Sequence, residues 1–180
     1  MPPLLFAIAI IALIVMAGFW LRRERTSAAA AVAVRNELIA RYDLDEAYVS
    51  GEDDSLIGLS FATRQLLFGT IGAPQRLPFD ALRAVEGLRD GVVMVRTARD
   101  GAPLAPTNDA SDLPPHSVRS LALRITVDGP EPGVHTILFA DGGKQGLDPQ
   151  NMYLRQQAVL TEAWYGRLVK AMQEAVAGPV

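Results

Sequence analysis

The sequence predicts an N-terminal transmembrane helix followed by one α+β domain that is mainly β. Residues Leu4–Leu21 carry no charged side chain, and an uncharged apolar run of about 18 residues can cross a bilayer as a helix. Short alternating apolar runs fill the middle of the chain, as β-strands do. The last long apolar pattern, near the C-terminus, has helical spacing. These three observations define the predicted fold class.

The first apolar segment is predicted to stay in the protein as a single-pass anchor, which with its basic flank covers residues 1–25. A cleaved secretory signal is the alternative. Such a signal has a basic start, a core of about 7–15 residues and a small-residue cleavage site, whereas here no Lys or Arg precedes the core. Arg22, Arg23 and Arg25 follow the span, and basic flanks favour the cytoplasmic side. We therefore expect a cytoplasmic domain, with a domain outside the membrane as the alternative.

The rest of the chain is long enough for one domain and is mildly acidic. Subtracting the three arginines and the glutamate of the flank from 17 basic and 20 acidic residues leaves a net charge near −5. Broad nucleic-acid binding requires concentrated Lys and Arg, so nucleic acid is not an expected partner. The chain has no cysteine, which excludes a disulfide framework and a thiol-linked lipid anchor.

A helical stalk is predicted over residues 26–43, between the anchor and the domain. A threonine or serine at its start can cap it, and a run of alanines follows. A coiled coil is the alternative, but no heptad repeats more than twice. The apolar positions of the helix recur at helical spacing, at Val34, Leu38 and Ile39.

The domain, residues 44–180, is predicted to contain seven short antiparallel strands. Each is an apolar run that ends at turn residues. Asp90-Gly91 lies between two such runs and is a strong hairpin signal. The predicted strands are Ala47–Ser50, Ser55–Phe61, Gln65–Gly69, Leu82–Leu88, Val92–Ala98, Ser120–Asp128 and Val134–Ala140.

An amphipathic helix is predicted after the last strand. Asp148 is a suitable N-cap, and Pro149 fits the first helical position. We expect the apolar side of this helix to cap the open end of a twisted sheet. Its apolar residues recur at every fourth position: Leu160, Trp164, Leu168 and Met172.

With seven strands before one capping helix, the chain resembles bacterial membrane-anchored proteins that carry a pleckstrin-homology-like (PH-like) domain. The resemblance implies a membrane-associated, non-catalytic protein-binding or scaffold role. Together with the anchor and its basic flank, it predicts a single-pass protein of the inner membrane. One departure is the first loop, Gly51–Asp54, which is acidic where PH domains that bind phosphoinositides usually have basic residues. The resemblance covers roughly residues 47–175 and is carried by LRAVEGLRDGVVMV (Leu82–Val95), VRSLALRITVDGPEPGVHTILF (Val118–Phe139) and LTEAWYGRLVKAM (Leu160–Met172).

Tyr165 is the residue predicted to mark a partner surface. It follows Trp164 on the helix, so the two side chains point about 100° apart. We therefore expect one ring in the core and the other at a groove or surface, where aromatic residues favour protein contacts. The expected partner is a protein, with a homo-oligomer as the alternative.

The sequence has no recognised catalytic motif, so we predict no enzyme activity, no cofactor and no metal. Glu52, Asp53 and Asp54 have the chemistry to ligate a hard cation, but a solvated turn is the simpler interpretation. The glycines of Gly142–Gly146 lack the spacing of a phosphate-binding loop. An unrecognised hydrolase is the remaining alternative. It predicts polar residues clustered in one pocket, and the candidates are Glu86, Asp90, His135 and Asp141.

Overall fold

A computed structural model describes residues 30–102, 116–129 and 132–177. These residues form two antiparallel four-stranded sheets with one helix before them and one after them. The predicted α+β class with a C-terminal helix is therefore confirmed. The predicted span Leu4–Leu21 and its flank of Arg22, Arg23 and Arg25 lie outside the described residues. In the described ranges, no helix combines the length and apolar character needed to cross a bilayer.

The first sheet is a meander of four strands in the order β1-β2-β3-β4. The first three strands lie where the sequence predicts them, but β4 was missed, so the described residues form eight strands instead of the predicted seven. Pro74 and Pro78 lie in β4 and remove ladder donors; the strand tolerates them because it pairs with β3 on one side only. The strands are Glu46–Val49 (β1), Ser55–Ser60 (β2), Gln65–Thr70 (β3) and Ala73–Pro78 (β4).

The first described helix, α1, covers residues 30–42 and packs against this sheet. Leu38 is buried, and Val34 and Ile39 pack beside it, so the apolar positions predicted for the stalk face the domain. Asp43 follows with a φ of 52°, in the left-handed region where helices often end. The buried leucines that Leu38 joins are Leu44, Leu56 and Leu67.

The second sheet has the order β6-β5-β7-β8 and follows a short 3-10 helix, Phe79–Ala81. The predicted Asp90-Gly91 turn joins β5 to β6, and its two residues have φ of 54° and 80°, as this hairpin type requires. β7 pairs with β5 instead of β6, so β5 is central and the sheet is not a run of successive hairpins. The strands are Leu82–Arg89 (β5), Val92–Ala98 (β6), Ser120–Val127 (β7) and Gly133–Asp141 (β8).

The C-terminal helix, α2, covers Met152–Ala177. The predicted N-cap, Asp148, is wrong. The side chain of Asn151 accepts a hydrogen bond from the Leu154 N–H at 3.3 Å and caps the helix. Asp148 instead accepts the Gln150 N–H at 2.7 Å in the preceding turn. Asp and Asn both suit an N-cap, but Asp148 stabilises the preceding turn and Asn151 caps the helix.

α2 packs on the core through three of its four predicted positions. Trp164, Leu168 and Met172 are buried, whereas Leu160 is 40% exposed and Thr161 takes the buried place. A four-residue repeat drifts by about 40° per step around a helix of 3.6 residues per turn. The stripe therefore leaves the core at its N-terminal end.

The main hydrophobic core draws on both sheets and α2. Phe68 of β3, Phe79 of the 3-10 helix and Phe139 of β8 are its largest fully buried side chains. The Tyr48 ring from β1 stacks on Phe139 with ring centroids 4.2 Å apart. This contact joins the first sheet to the β8 edge of the second.

Candidate functional site

The β8 edge of the second sheet is closed by side chains from other elements. The Leu138 N–H donates to Ser55 Oγ at 3.2 Å, and the Leu138 carbonyl accepts from the Tyr48 hydroxyl at 3.3 Å. The Tyr153 hydroxyl oxygen on α2 lies 3.4 Å from the Phe139 carbonyl oxygen. The fold therefore uses polar backbone groups of this edge internally.

The opposite edge strand, β6, carries exposed apolar side chains. Met94 is 57% exposed and Val95 is 45% exposed. Among the described strands, β6 pairs with β5 alone. Natural proteins commonly blunt strand edges with charges, prolines or covering elements, and exposed apolar patches mark interaction sites. The β6 edge is therefore a candidate interaction surface.

A groove of about 470 Å³ lies between this edge and the first half of α2. Side chains from β5, β6, β7 and α2 line it, and most of them are apolar. Arg89 and Glu162 are the charged residues at its lining. The other lining residues are Gly87, Leu88, Met94, Val95, Leu121, Leu123, Ala158, Thr161 and Tyr165.

Tyr165 forms part of one wall of this groove. Its ring is half-buried, and its hydroxyl lies 2.6 Å from Thr97 Oγ1 on β6. The preceding residue, Trp164, is buried in the main core. The structure thus places the two rings in different environments, and the Tyr165–Thr97 hydrogen bond links α2 to β6 at the wall of the groove that Tyr165 forms.

Gly87 on β5 is a groove residue that the sequence reasoning missed. It lies opposite Val95 in the β5–β6 register, and a Cβ at this position would be 2.8 Å from Val95 Cγ1. The β5–β6 register shifts between Gly87 and Leu88. An isolated glycine within a strand pattern is the signal for such a bulge or close approach. The glycine therefore makes room for Val95 at the groove.

Glu86, the neighbour of Gly87, is buried between two arginines. One carboxylate oxygen lies 2.5 Å from Arg96 on β6, and the other lies 2.5 Å from Arg124 on β7. The strand registers place all three residues in one row across β6, β5 and β7. Both carboxylate oxygens make charge-assisted hydrogen bonds, so this group connects three strands of the sheet.

Glu86 and His135, two of the hydrolase candidates, lie on opposite faces of the second sheet. Glu86 on β5 pairs with Arg124 on β7, whereas His135 on β8 pairs with the next residue of β7, Ile125. Successive residues of a strand point to opposite faces of the sheet. The centroid of the His135 ring lies 4.6 Å from that of Phe68, beside the main core. The structure therefore does not bring these two side chains together.

The other two hydrolase candidates accept hydrogen bonds from backbone N–H groups. Asp90 Oδ1 accepts the backbone N–H groups of Arg119 and Ser120 at 2.6 and 2.7 Å. Asp141 Oδ1 accepts the Gly143 N–H at 2.7 Å. Within the described part of the chain, no group of three or more His, Cys, Asp or Glu residues is placed to hold a metal ion.

The acidic loop Gly51–Asp54 forms a turn between β1 and β2, as predicted. The Tyr153 hydroxyl donates to Glu52 at 2.5 Å. Burial, and then the Glu52 carboxylate, raise the pKa of Tyr153 above its ordinary value. Burial, followed by Glu52 and Asp53, raises the pKa of Tyr48 in the same direction. Both phenols therefore remain protonated, Tyr48 as the donor to the Leu138 carbonyl and Tyr153 as the donor to Glu52.

Comparison of the chain with protein-family models, with curated proteins and with solved structures finds no match. The interpretation of the groove therefore depends on its own geometry.

Proposed function

We propose that this chain is a single-pass bacterial inner-membrane protein whose cytoplasmic PH-like domain binds a protein partner without catalysis. The observation that carries the proposal is the apolar groove between α2 and β6, with Tyr165 on its wall. A concave apolar site beside an exposed strand edge has the features of a peptide-binding site. The partner is an extended segment that pairs along β6 and places an apolar side chain in the groove.

The PH-like assignment is supported by the order of the elements. A four-stranded meander precedes a second antiparallel sheet, and the C-terminal helix packs over the core that both sheets share. The eighth strand and the pairing of β7 with β5 are departures from the predicted layout. The binding role does not depend on the PH-like assignment, because fold class does not determine function.

The choice of β6 follows from a comparison with two other described edges. β4 contains two prolines, which cannot donate to an added strand. The β8 backbone is bonded to Tyr48 and Ser55. Between Met94 and Ala98, β6 has no proline and presents exposed apolar side chains. An added segment would gain both main-chain hydrogen bonds and apolar burial there.

Site-specific photo-crosslinking in living cells tests this choice. A photoreactive residue would replace Val95 in the full-length protein, with Val134 on β8 as the matched control because it is 46% exposed. We expect one discrete protein crosslink at position 95 that is missing at position 134. The crosslinked partner residue should map to an extended segment. Equal products at the two positions, or none at position 95, would refute the groove as the binding site.

The anchor and the orientation of the domain are tested separately. Because the chain has no cysteine, Thr63→Cys in the exposed β2–β3 turn creates a single labelling site. A cytoplasmic domain predicts that a membrane-impermeant thiol reagent labels it only after the cells are permeabilised. Labelling in intact cells would place the domain outside the membrane and would leave the groove proposal unaffected.

A further inference from the structure

The first half of α2 carries a second apolar stripe, on the side away from the core. Met152 is 75% exposed and Val159 is 66% exposed, and Ala163 is also exposed. At 100° per residue these three positions lie within about 40° of one another around the helix. They lie roughly opposite the buried Thr161 and Leu168. The core therefore does not account for them.

This stripe continues onto α1. Leu160, at the margin of the stripe, lines a depression of about 300 Å³ together with Ala31 and Val32 of α1. Val32 is 48% exposed. Met152, Val159 and Leu160 line a second depression on α2. Because Leu160 belongs to both depressions, Val32, Met152, Val159 and Leu160 form one surface, here called the apolar face.

The apolar face lies close to the point where the chain enters the described domain. α1 is described from residue 30, and residues 22–29 separate it from the predicted span Leu4–Leu21. Eight residues reach at most about 28 Å when extended, and about 12 Å when helical. A domain held by this span therefore keeps residue 30 within that distance of the bilayer, and Val32 of the apolar face lies two residues further along α1.

The charges around the apolar face suit a lipid surface. Arg35 and Arg155 are exposed and line the two depressions. The carboxylate among the lining residues, Glu46, is paired with Arg167 at 2.8 Å. Exposed apolar side chains beside arginines are typical of helices that lie at the boundary of headgroups and acyl chains.

We propose that the apolar face rests on the surface of the bilayer in which the chain is anchored. Met152 and Val159 enter the headgroup–acyl boundary, and Arg35 and Arg155 lie near lipid phosphates. This inference rests on the membrane anchor of the proposed function. Ala158, which lines the groove, lies about 100° from Val159 around α2. Contact between Val159 and the bilayer therefore leaves the groove open to a protein partner.

Depth-dependent fluorescence quenching tests the inference on the full-length protein. Val159→Cys, labelled with an environment-sensitive fluorophore, is reconstituted in vesicles of phosphatidylethanolamine and phosphatidylglycerol that contain a lipid-borne quencher. Val134→Cys on β8 is the matched control. We expect quenching several-fold stronger at position 159 than at position 134. Equal quenching at the two positions would overturn the inference.

Two further readouts separate the ways in which the inference can fail. Flotation of the vesicles reports the anchor: a protein that does not float refutes the anchor and, with it, the contact proposed for the apolar face. A protein that floats with an unquenched probe at position 159 refutes the contact alone. A parallel sample of unlabelled Val159→Cys is needed for the second readout, because a labelled cysteine cannot form a disulfide. Disulfide-linked dimers in that sample, together with an unquenched probe in the labelled one, would assign the face to a second copy of the chain and would also overturn the inference.

Discussion

Trp164 and Tyr165 are adjacent on α2, yet they lie in different environments. Trp164 is 4% exposed within the core, and the Arg167 guanidinium lies 5.4 Å from its ring centroid. Tyr165 is half-buried at the groove and reaches Thr97 on β6. The difference indicates that α2 stabilises the fold through one side and forms a candidate binding surface with the other. Substitutions should therefore separate into those that lower stability and those that lower binding.

The largest effect is expected at Trp164. Trp164→Ala should lower the free energy of unfolding by about 3–5 kcal/mol, because it leaves a cavity in the core, and this is close to the whole stability of many domains. Trp164→Phe retains an aromatic ring and should cost less. Denaturant titration of the full-length protein, followed by circular dichroism, measures both. Unchanged midpoints would show that α2 packs through another face.

The second effect concerns Glu86, which links β6 to the rest of the second sheet. Glu86→Gln should cost about 2–3 kcal/mol, because charged hydrogen bonds to Arg96 and Arg124 are lost where the carboxylate is buried. Asp128→Asn is the control, because the Asp128 side chain is 58% exposed where it pairs with Arg83, and such a pair should contribute less than about 1 kcal/mol. Equal costs for the two variants would contradict a structural role for the buried group.

A smaller effect is expected at Tyr165. Tyr165→Phe removes the hydroxyl that bonds Thr97 and should cost about 0.5–1.5 kcal/mol. Thr97→Val removes the other partner, and a double-mutant cycle isolates the pair. If the two substitutions were fully additive, the hydrogen bond would not couple α2 to β6.

The smallest effect is a pH dependence at the closed β8 edge. Burial first, and then nearby carboxylates, raise the pKa of Tyr48 and Tyr153 in the folded protein. The unfolded chain releases these protons near pH 10, while the folded protein retains them. Stability should therefore fall as pH rises above about 10. Tyr153→Phe should make this decline shallower, and an unchanged decline would rule out Tyr153 as a contributor.

Local signals predicted much of the fold. The Asp90-Gly91 hairpin is encoded in adjacent residues, and both have the positive φ that the turn needs. β4 could not be predicted in this way, because Pro74 and Pro78 argue against a strand unless it lies at an edge. Edge position depends on the arrangement of the whole sheet. The start of α2 was missed because Asp148 and Asn151 are equally suitable caps.

Less of the groove than of the fold could be predicted from the sequence. Tyr165 could be singled out because it follows a core residue on a helix, but its partner Thr97 is 68 residues away. Helical spacing cannot show that β6 and α2 meet. Gly87 is a glycine inside an apolar strand pattern, which is a sequence signal for a bulge or a close contact. The neighbour that it accommodates, Val95, is known only from the strand register.

The role of the groove as the binding site is tested most directly by the affinity of the full-length protein for the partner that crosslinks at position 95. Ala158 is exposed in the groove, and Ala40 is exposed on α1, so Ala158→Arg and Ala40→Arg are matched substitutions on helices. Ala158→Arg should weaken binding by at least about tenfold, or roughly 1.4 kcal/mol, because an arginine obstructs the groove. Ala40→Arg should leave the affinity unchanged. Equal affinities for both variants and the parent protein would contradict the groove as the binding site.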